Sequence, residues 1–142
     1  MNMLYIEKLF LRGRLGTGAV AVRRLRAAQR IVSDYEFSGF MPSIPCCLSP
    51  RFAHAPSNRD ANVDRVSAAD RYIEASRVCG PLFFPLIRHF VLDDLSLADW
   101  AAVNYLPNNG RTADEACARL SMALDRVGQA YEALFNKERA ER

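Results

Sequence analysis

Residues 96–115 read S-L-A-D-W-A-A-V-N-Y-L-P-N-N-G-R-T-A-D-E, and this stretch decides the fold. Ser96 has Asp99 three residues on, and Thr112 has Glu115 three residues on. A capping hydroxyl and a carboxylate at that spacing satisfy each other's orphan backbone donors, so each pair predicts the start of a helix. Between them Leu106-Pro107-Asn108-Asn109-Gly110-Arg111 is a turn-rich string that no helix carries through its middle. A short helix over Leu97–Tyr105, a six-residue break and a long helix from Ala113 to about Asn136 follow. With the apolar segment before Asp93-Asp94, this is the pattern of a helix-turn-helix, whose second helix commonly enters the DNA major groove.

Working outward, the long helix carries a seam of Ala113, Ala116, Cys117, Leu120, Ala123, Leu124, Val127, Tyr131 and Leu134. The tail Lys137–Arg142 is charged and is expected to fray. Upstream, Leu82-Phe83-Phe84-Pro85-Leu86-Ile87 runs on to Leu92 as an expected buried helix, with Pro85 tolerated in its first turn. Ser67 with Asp70 resembles another capping pair and predicts a helix over about Ala68–Val78, ended by Gly80-Pro81. Residues 41–66 hold Pro42, Pro45, Pro50 and Pro56 and read as a long Pro-rich loop. At the N-terminus, Leu4–Leu15 predicts a short helix with Leu4, Leu11 and Leu15 on one face, broken by Gly16-Thr17-Gly18. A stronger helix from Ala19 to about Phe37, with Thr17 available as its cap, carries a stripe of Val22, Leu25, Ala28, Val32 and Tyr35.

No convincing strand or internal repeat appears. The expected fold is all-α, a small domain of about five to six helices with a C-terminal helix-turn-helix and a long Pro-rich loop. It divides into a basic helical segment (1–40), the loop (41–66), a helical core with the helix-turn-helix (67–136) and the tail (137–142). A chain of 142 residues is long enough for one core and short for two. No apolar run approaches the roughly 18–20 residues that span a bilayer, so no membrane contact is expected. Glu7 and Lys8 interrupt the first apolar residues too soon for a signal peptide, which makes a cytoplasmic protein the default.

The net charge of +3 argues little, whereas its distribution argues more. Residues 1–40 carry seven basic and three acidic side chains, and residues 67–110 carry three basic and five acidic. Arg23, Arg26 and Arg30 share one helical face, with Arg24 nearby. They are candidates to neutralise phosphates, the plainer alternative being a solvated face. At the start of the long helix, Asn108, Asn109, Arg111 and Thr112 crowd the end where backbone donors favour a phosphate, and Arg119 lies about two turns in. Arginine pairs with guanine and asparagine with adenine, so this is the candidate DNA-reading set. The alternative is a plain turn followed by a Glu115–Arg119 ion pair, with Asp114 and Glu115 placing negative charge where DNA would approach.

Catalysis and metal binding find no footing. There is no phosphate loop, no G-x-S-x-G and no partner set for a cysteine or serine nucleophile. Cys46-Cys47 with His54, and Cys79, Cys117 and His89 elsewhere, lack paired metal-ligand spacing. Cys117 is expected to be a small buried side chain, His89 structural and Trp100 a core anchor. The chain is expected to be non-enzymatic and free of cofactors.

The order of these pieces also resembles a known pattern. R-L-R-A-A-Q-R-I-V-S-D-Y-E-F-S-G (24–39) precedes the Pro-rich loop. Then come A-x-x-x-C-G-P-L-F-F-P-L-I (75–87), L-x-x-W-A (97–101) and R-L-S-M-A-L-D-R-V-G-x-A-Y (119–131). This resembles a small, largely uncharacterised helical family of alphaproteobacteria and their phages, whose members end in a helix-turn-helix similar to region 4 of sigma factors. The resemblance implies a DNA-binding or RNA-polymerase-associated regulator encoded by a phage or mobile element. Where that family has a Trp-Pro turn followed by basic residues, this chain has Leu106-Pro107 and a single Arg111 before Asp114.

Two functions are therefore expected. The first is a transcriptional regulator of helix-turn-helix type that binds double-stranded DNA through Arg23, Arg26, Arg30, Asn108, Asn109, Arg111, Thr112 and Arg119. The second is a non-enzymatic protein-interaction module for RNA polymerase or another protein. Self-association into a homo-oligomer through any exposed part of the long helix's seam fits either.

Overall fold

The computed structural model describes residues 3–39 and 59–141, with side chains of the second stretch described from Ser67 onward. Six helices and no strand are present among the described residues, so the fold is all-α. In chain order they are α1 (Tyr5–Leu11), α2 (Gly18–Ser38), α3 (Arg59–Cys79), α4 (Phe84–Ile87, continued by a π-helical turn Arg88–Leu92), α5 (Leu97–Val103) and α6 (Gly110–Ala140).

Helices α2, α3 and α6 form the body. Arg14 meets Asp114, Arg24 meets Asp125, and Asp34 meets Tyr131, so α2 and α6 run parallel. Arg71 at the middle of α3 reaches Asp34, while Cys79 at its end lies against the Ala123 carbonyl, so α3 runs antiparallel to both. The α6 seam is the spine of the core: Ala116, Cys117, Leu120, Ala123, Leu124, Val127, Ala130 and Tyr131 are all buried. With Ala113 and Leu134 half-buried at its ends, the middle of the seam is covered within the chain.

The remaining helices close one end of the body. Pro85 sits in the first turn of α4, where its missing N–H costs nothing. The π-helical turn then turns His89, Phe90 and Val91 inward in succession. Trp100 of α5 packs on His89 and Phe90, with ring centroids 5.2 and 5.5 Å away, and Tyr5 of α1 stacks on Phe90. His89 is buried and pairs with the Ser96 carbonyl oxygen at 2.9 Å, a structural role as expected.

The Ser96–Asp99 capping box forms with both hydrogen bonds in place. Four other expectations are corrected. Residues 59–66, read as the end of the Pro-rich loop, are helical: no Pro or Gly follows Pro56 until Gly80, so nothing in the sequence opposes an earlier start. Ser67 and Asp70 therefore lie inside α3 rather than at its cap, and the rest of the loop, with Cys46, Cys47 and His54, lies outside the described residues. Thr112 is not a cap. Asn109 takes that place, its side chain accepting from the Thr112 backbone N–H, and α6 begins at Gly110. The charged tail does not fray at Lys137 but continues α6 to Ala140, where Lys137 and Arg139 suit the negative end of the helix dipole.

The fourth correction concerns buried faces. In α2 the buried residues are Ala21, Ala27, Ala28, Ile31, Asp34 and Tyr35, whereas Val22 is exposed and Leu25 and Val32 half-buried. Small alanines let α2 approach α6 closely, and Ala27 faces Gly128 there. In α1 the buried pair is Ile6 and Leu9; Leu11 is exposed, and Leu15 fills the core from the turn that follows.

Candidate nucleic-acid interface

Helix α2 places Arg23, Arg26 and Arg30 on one face because three- and four-residue steps return to the same side of a helix. All three are exposed, and none makes an ion pair or hydrogen bond with a described residue. They line a groove between α2 and α6 whose other residues are Ala27, Gly128, Glu132 and Phe135. Gly128 lines the groove, and with no side chain there nothing from that position fills it.

Their neighbour Arg24 has a different fate. Its guanidinium grips Asp125 with two hydrogen bonds of 2.9 and 3.0 Å and donates a third, of 2.7 Å, to the Leu15 carbonyl. The bond to Asp125 raises its pKa further above an already high value. Arg24 thus ties α2 to α6, whereas Arg23, Arg26 and Arg30 make no such bond with a described residue.

Beneath the far end of the groove lies a polar cluster shared by three helices. Asp34 accepts hydrogen bonds from the Tyr131 hydroxyl at 2.7 Å and from Arg71 at 2.9 to 3.3 Å. Burial, then the bond to Asp34, pushes the Tyr131 pKa far above the ordinary phenol value. The Arg71 pKa is raised as well, chiefly by its hydrogen bond to Asp34. The cluster holds α2, α3 and α6 in register below Arg30.

The turn between α5 and α6 is arranged otherwise. Asn109 is committed to capping, and Thr112 is half-buried behind it. Asn108 is exposed, and Arg111 is exposed beside Glu115 at 3.5 Å. Glu115 therefore pairs with Arg111, not with Arg119 as the plainer alternative had it. Arg119 instead reaches the Leu82 carbonyl at 3.4 Å. Asp114, the other acid of this end, pairs with Arg14 at 2.6 Å. The opposed charges leave this end close to neutral.

The two candidate sets do not converge. Arg111 precedes Gly128 by seventeen residues of one helix, a separation of about 25 Å at ~1.5 Å per residue. Arg119 precedes Gly128 by nine residues, about two and a half turns, which places it on the opposite side of α6 from the groove. One duplex contact of ordinary size does not use both surfaces of Arg119 and the arginine ridge.

Sequence reasoning missed two aromatic members of this region. Phe135 lines the groove with its side chain exposed, and the Arg139 guanidinium lies 5.8 Å from its ring centroid. Phe37 follows Arg30 by seven residues, two helical turns, and so continues the ridge; it too is exposed. For Phe37 the signal was present, since the Arg30-to-Phe37 step repeats the Arg23-to-Arg30 step; Phe135 follows Tyr131 at the seam's own four-residue spacing, so nothing in the sequence marked it as a groove residue. Among the described residues, no three His, Cys, Asp or Glu side chains converge on a metal-sized site, and no helix is long and apolar enough to cross a membrane. No protein-family model, no curated protein and no solved structure matches the chain.

Proposed function

We propose that this chain is a non-enzymatic DNA-binding protein, a small regulator of transcription held on DNA chiefly by the α2 ridge. The observation that supports this reading is the set of three co-facial, exposed guanidiniums of Arg23, Arg26 and Arg30, unpaired among the described residues. Unpaired cations on a rigid helix need no internal ion pair broken before they meet a phosphate. Of the turn set, Asn108 and Arg111 are exposed, but Arg111 is paired with Glu115, which leaves this turn a secondary role.

The test is fluorescence-anisotropy binding to a random duplex at about 50 and 200 mM salt. Three phosphate contacts give a log–log slope near −2.7 and a loss of about 40-fold across that range. The triple substitution R23A/R26A/R30A flattens the slope, whereas R119A leaves it unchanged. A flat response in the unsubstituted chain refutes the reading.

A second reading, a protein-interaction module for RNA polymerase or another protein, is favoured by the opposite end of the molecule. Tyr105 is 96% exposed, between exposed Val103 and Leu106. It adopts a left-handed conformation, φ 56°, at a position where glycine is usual. A large exposed ring kept in a strained conformation is the kind of residue that anchors protein interfaces. Loss of RNA polymerase capture by Y105A, with duplex binding retained, would assign that end to a protein partner.

A further inference from the structure

The arginine ridge ends beside an aromatic ring that the core does not need. Phe135 is 57% exposed, lies beyond the last buried residue of the seam, and shares its groove with Arg23, Arg26 and Arg30. The Arg139 guanidinium lies over its ring, 5.8 Å from the centroid. Phe37 extends the same face of α2. In a duplex each base is stacked between neighbours and its face is closed to a protein ring, while an unpaired base offers that face freely. Cations that track a backbone beside an exposed aromatic are the usual equipment for single strands.

We propose that the α2/α6 groove takes single-stranded nucleic acid, with one unpaired base stacked on Phe135 and the adjoining phosphates on Arg23, Arg26 and Arg30. The proposal rests on the reading of the ridge as a phosphate contact, and adds that the preferred strand is unpaired. The ridge and ring fit within a short stretch of strand. Arg23 to Arg30 spans about 10 Å of helix, and Phe135 lies about one turn beyond Arg30 in the parallel α6. Glu132 is the carboxylate among the groove residues, and an acidic peptide gains nothing from the ring that a base does not gain more fully.

The test compares labelled oligothymidylate of about 12 nucleotides with a duplex of equal length, near 50 mM salt, using the full chain. The unsubstituted protein binds the single strand more tightly. F135L lowers single-strand affinity about tenfold and leaves duplex affinity unchanged, while F135W keeps both. Phe135 is exposed, so these substitutions do not disturb the core; circular dichroism checks that the helices persist. A preference for duplex, or an F135L variant that changes neither affinity or both equally, overturns the proposal while duplex binding keeps the ridge reading alive. Failure of a folded chain to bind either oligonucleotide removes both readings. Tighter binding of poly-glutamate than of oligothymidylate overturns the proposal in favour of an acidic protein partner.

Discussion

The Tyr131 hydroxyl donates a 2.7 Å hydrogen bond to Asp34, ninety-seven residues away in sequence and next to it in space. That bond and the Arg71 clamp lock the three long helices at the end where the arginine groove meets Phe135. Arg71 is about one-third exposed and Asp34 nearly buried, so the pair is partly screened rather than sealed. Y131F is expected to cost about 1 kcal/mol, the worth of one internal hydrogen bond. D34A is expected to cost about 2–3 kcal/mol, because it leaves both Arg71 and the buried phenol unpaired. Urea denaturation followed by the fluorescence of Trp100, the chain's one tryptophan, measures both. Near-additive losses in the double variant would refute the coupling.

Tyr105 offers a test of strain. At the end of α5 the Leu106 N–H reaches the Ala101 carbonyl at 2.8 Å and the Tyr105 N–H reaches Ala102 at 3.3 Å. This is the paired bonding of a helix end that favours glycine in the left-handed position. Y105G is therefore expected to stabilise the chain by about 1 kcal/mol, the rough steric cost of placing a side chain there. An unchanged or lowered denaturation midpoint would show that the conformation carries no strain.

The Ser96–Asp99 box gives α5 a defined pH dependence. Hydrogen bonds from Ser96, its backbone N–H foremost, hold the Asp99 carboxyl below its ordinary pKa. A carboxylate with a depressed folded-state pKa stabilises the fold above its unfolded value and loses that contribution as pH falls through the folded value. Acidification below about pH 4 is therefore expected to loosen α5 and change Trp100 emission, with a smaller change in D99A. Identical acid titrations of the two chains would contradict this.

Glu132 lines the arginine groove, where its charge opposes that of an incoming phosphate. E132Q is expected to raise nucleic-acid affinity about threefold, as removal of one screened like charge to the ligand should. The gain should shrink at high salt. A loss of affinity would mean that Glu132 orients the arginines instead of repelling the ligand.

Much of the fold is legible from local chemistry. The Ser96 box, the Pro107 break, the α6 seam and Pro85 in the first turn of α4 each depend on residues a few positions apart, and each appears where its chemistry directs. The misreadings share another cause. Val22 outranks Ala21 in hydrophobicity, yet α2 turns its alanines inward because close approach to α6 decides the face. Arg23 and Arg24 are equivalent in sequence, and only the position of Asp125, about a hundred residues on, makes one a strut and leaves the other free. Asn109 and Thr112 are both competent caps, and the break ends at the earlier one. At the candidate site, the arginine face was visible in the spacing; Phe135 was not, because its neighbours come from a helix at the other end of the chain.

The parallel pairing of α2 with α6 has a consequence for biosynthesis. Arg14, Arg24 and Asp34 find Asp114, Asp125 and Tyr131 only after the intervening residues, 97 to 101 positions of chain, have been made. A ribosome working from the N-terminus releases α2 with its eventual floor still unsynthesised, and its alanine face stays open to water throughout. A helix made later is the one on which α2 is laid, so the basic ridge is held in its final setting only once α6 has emerged.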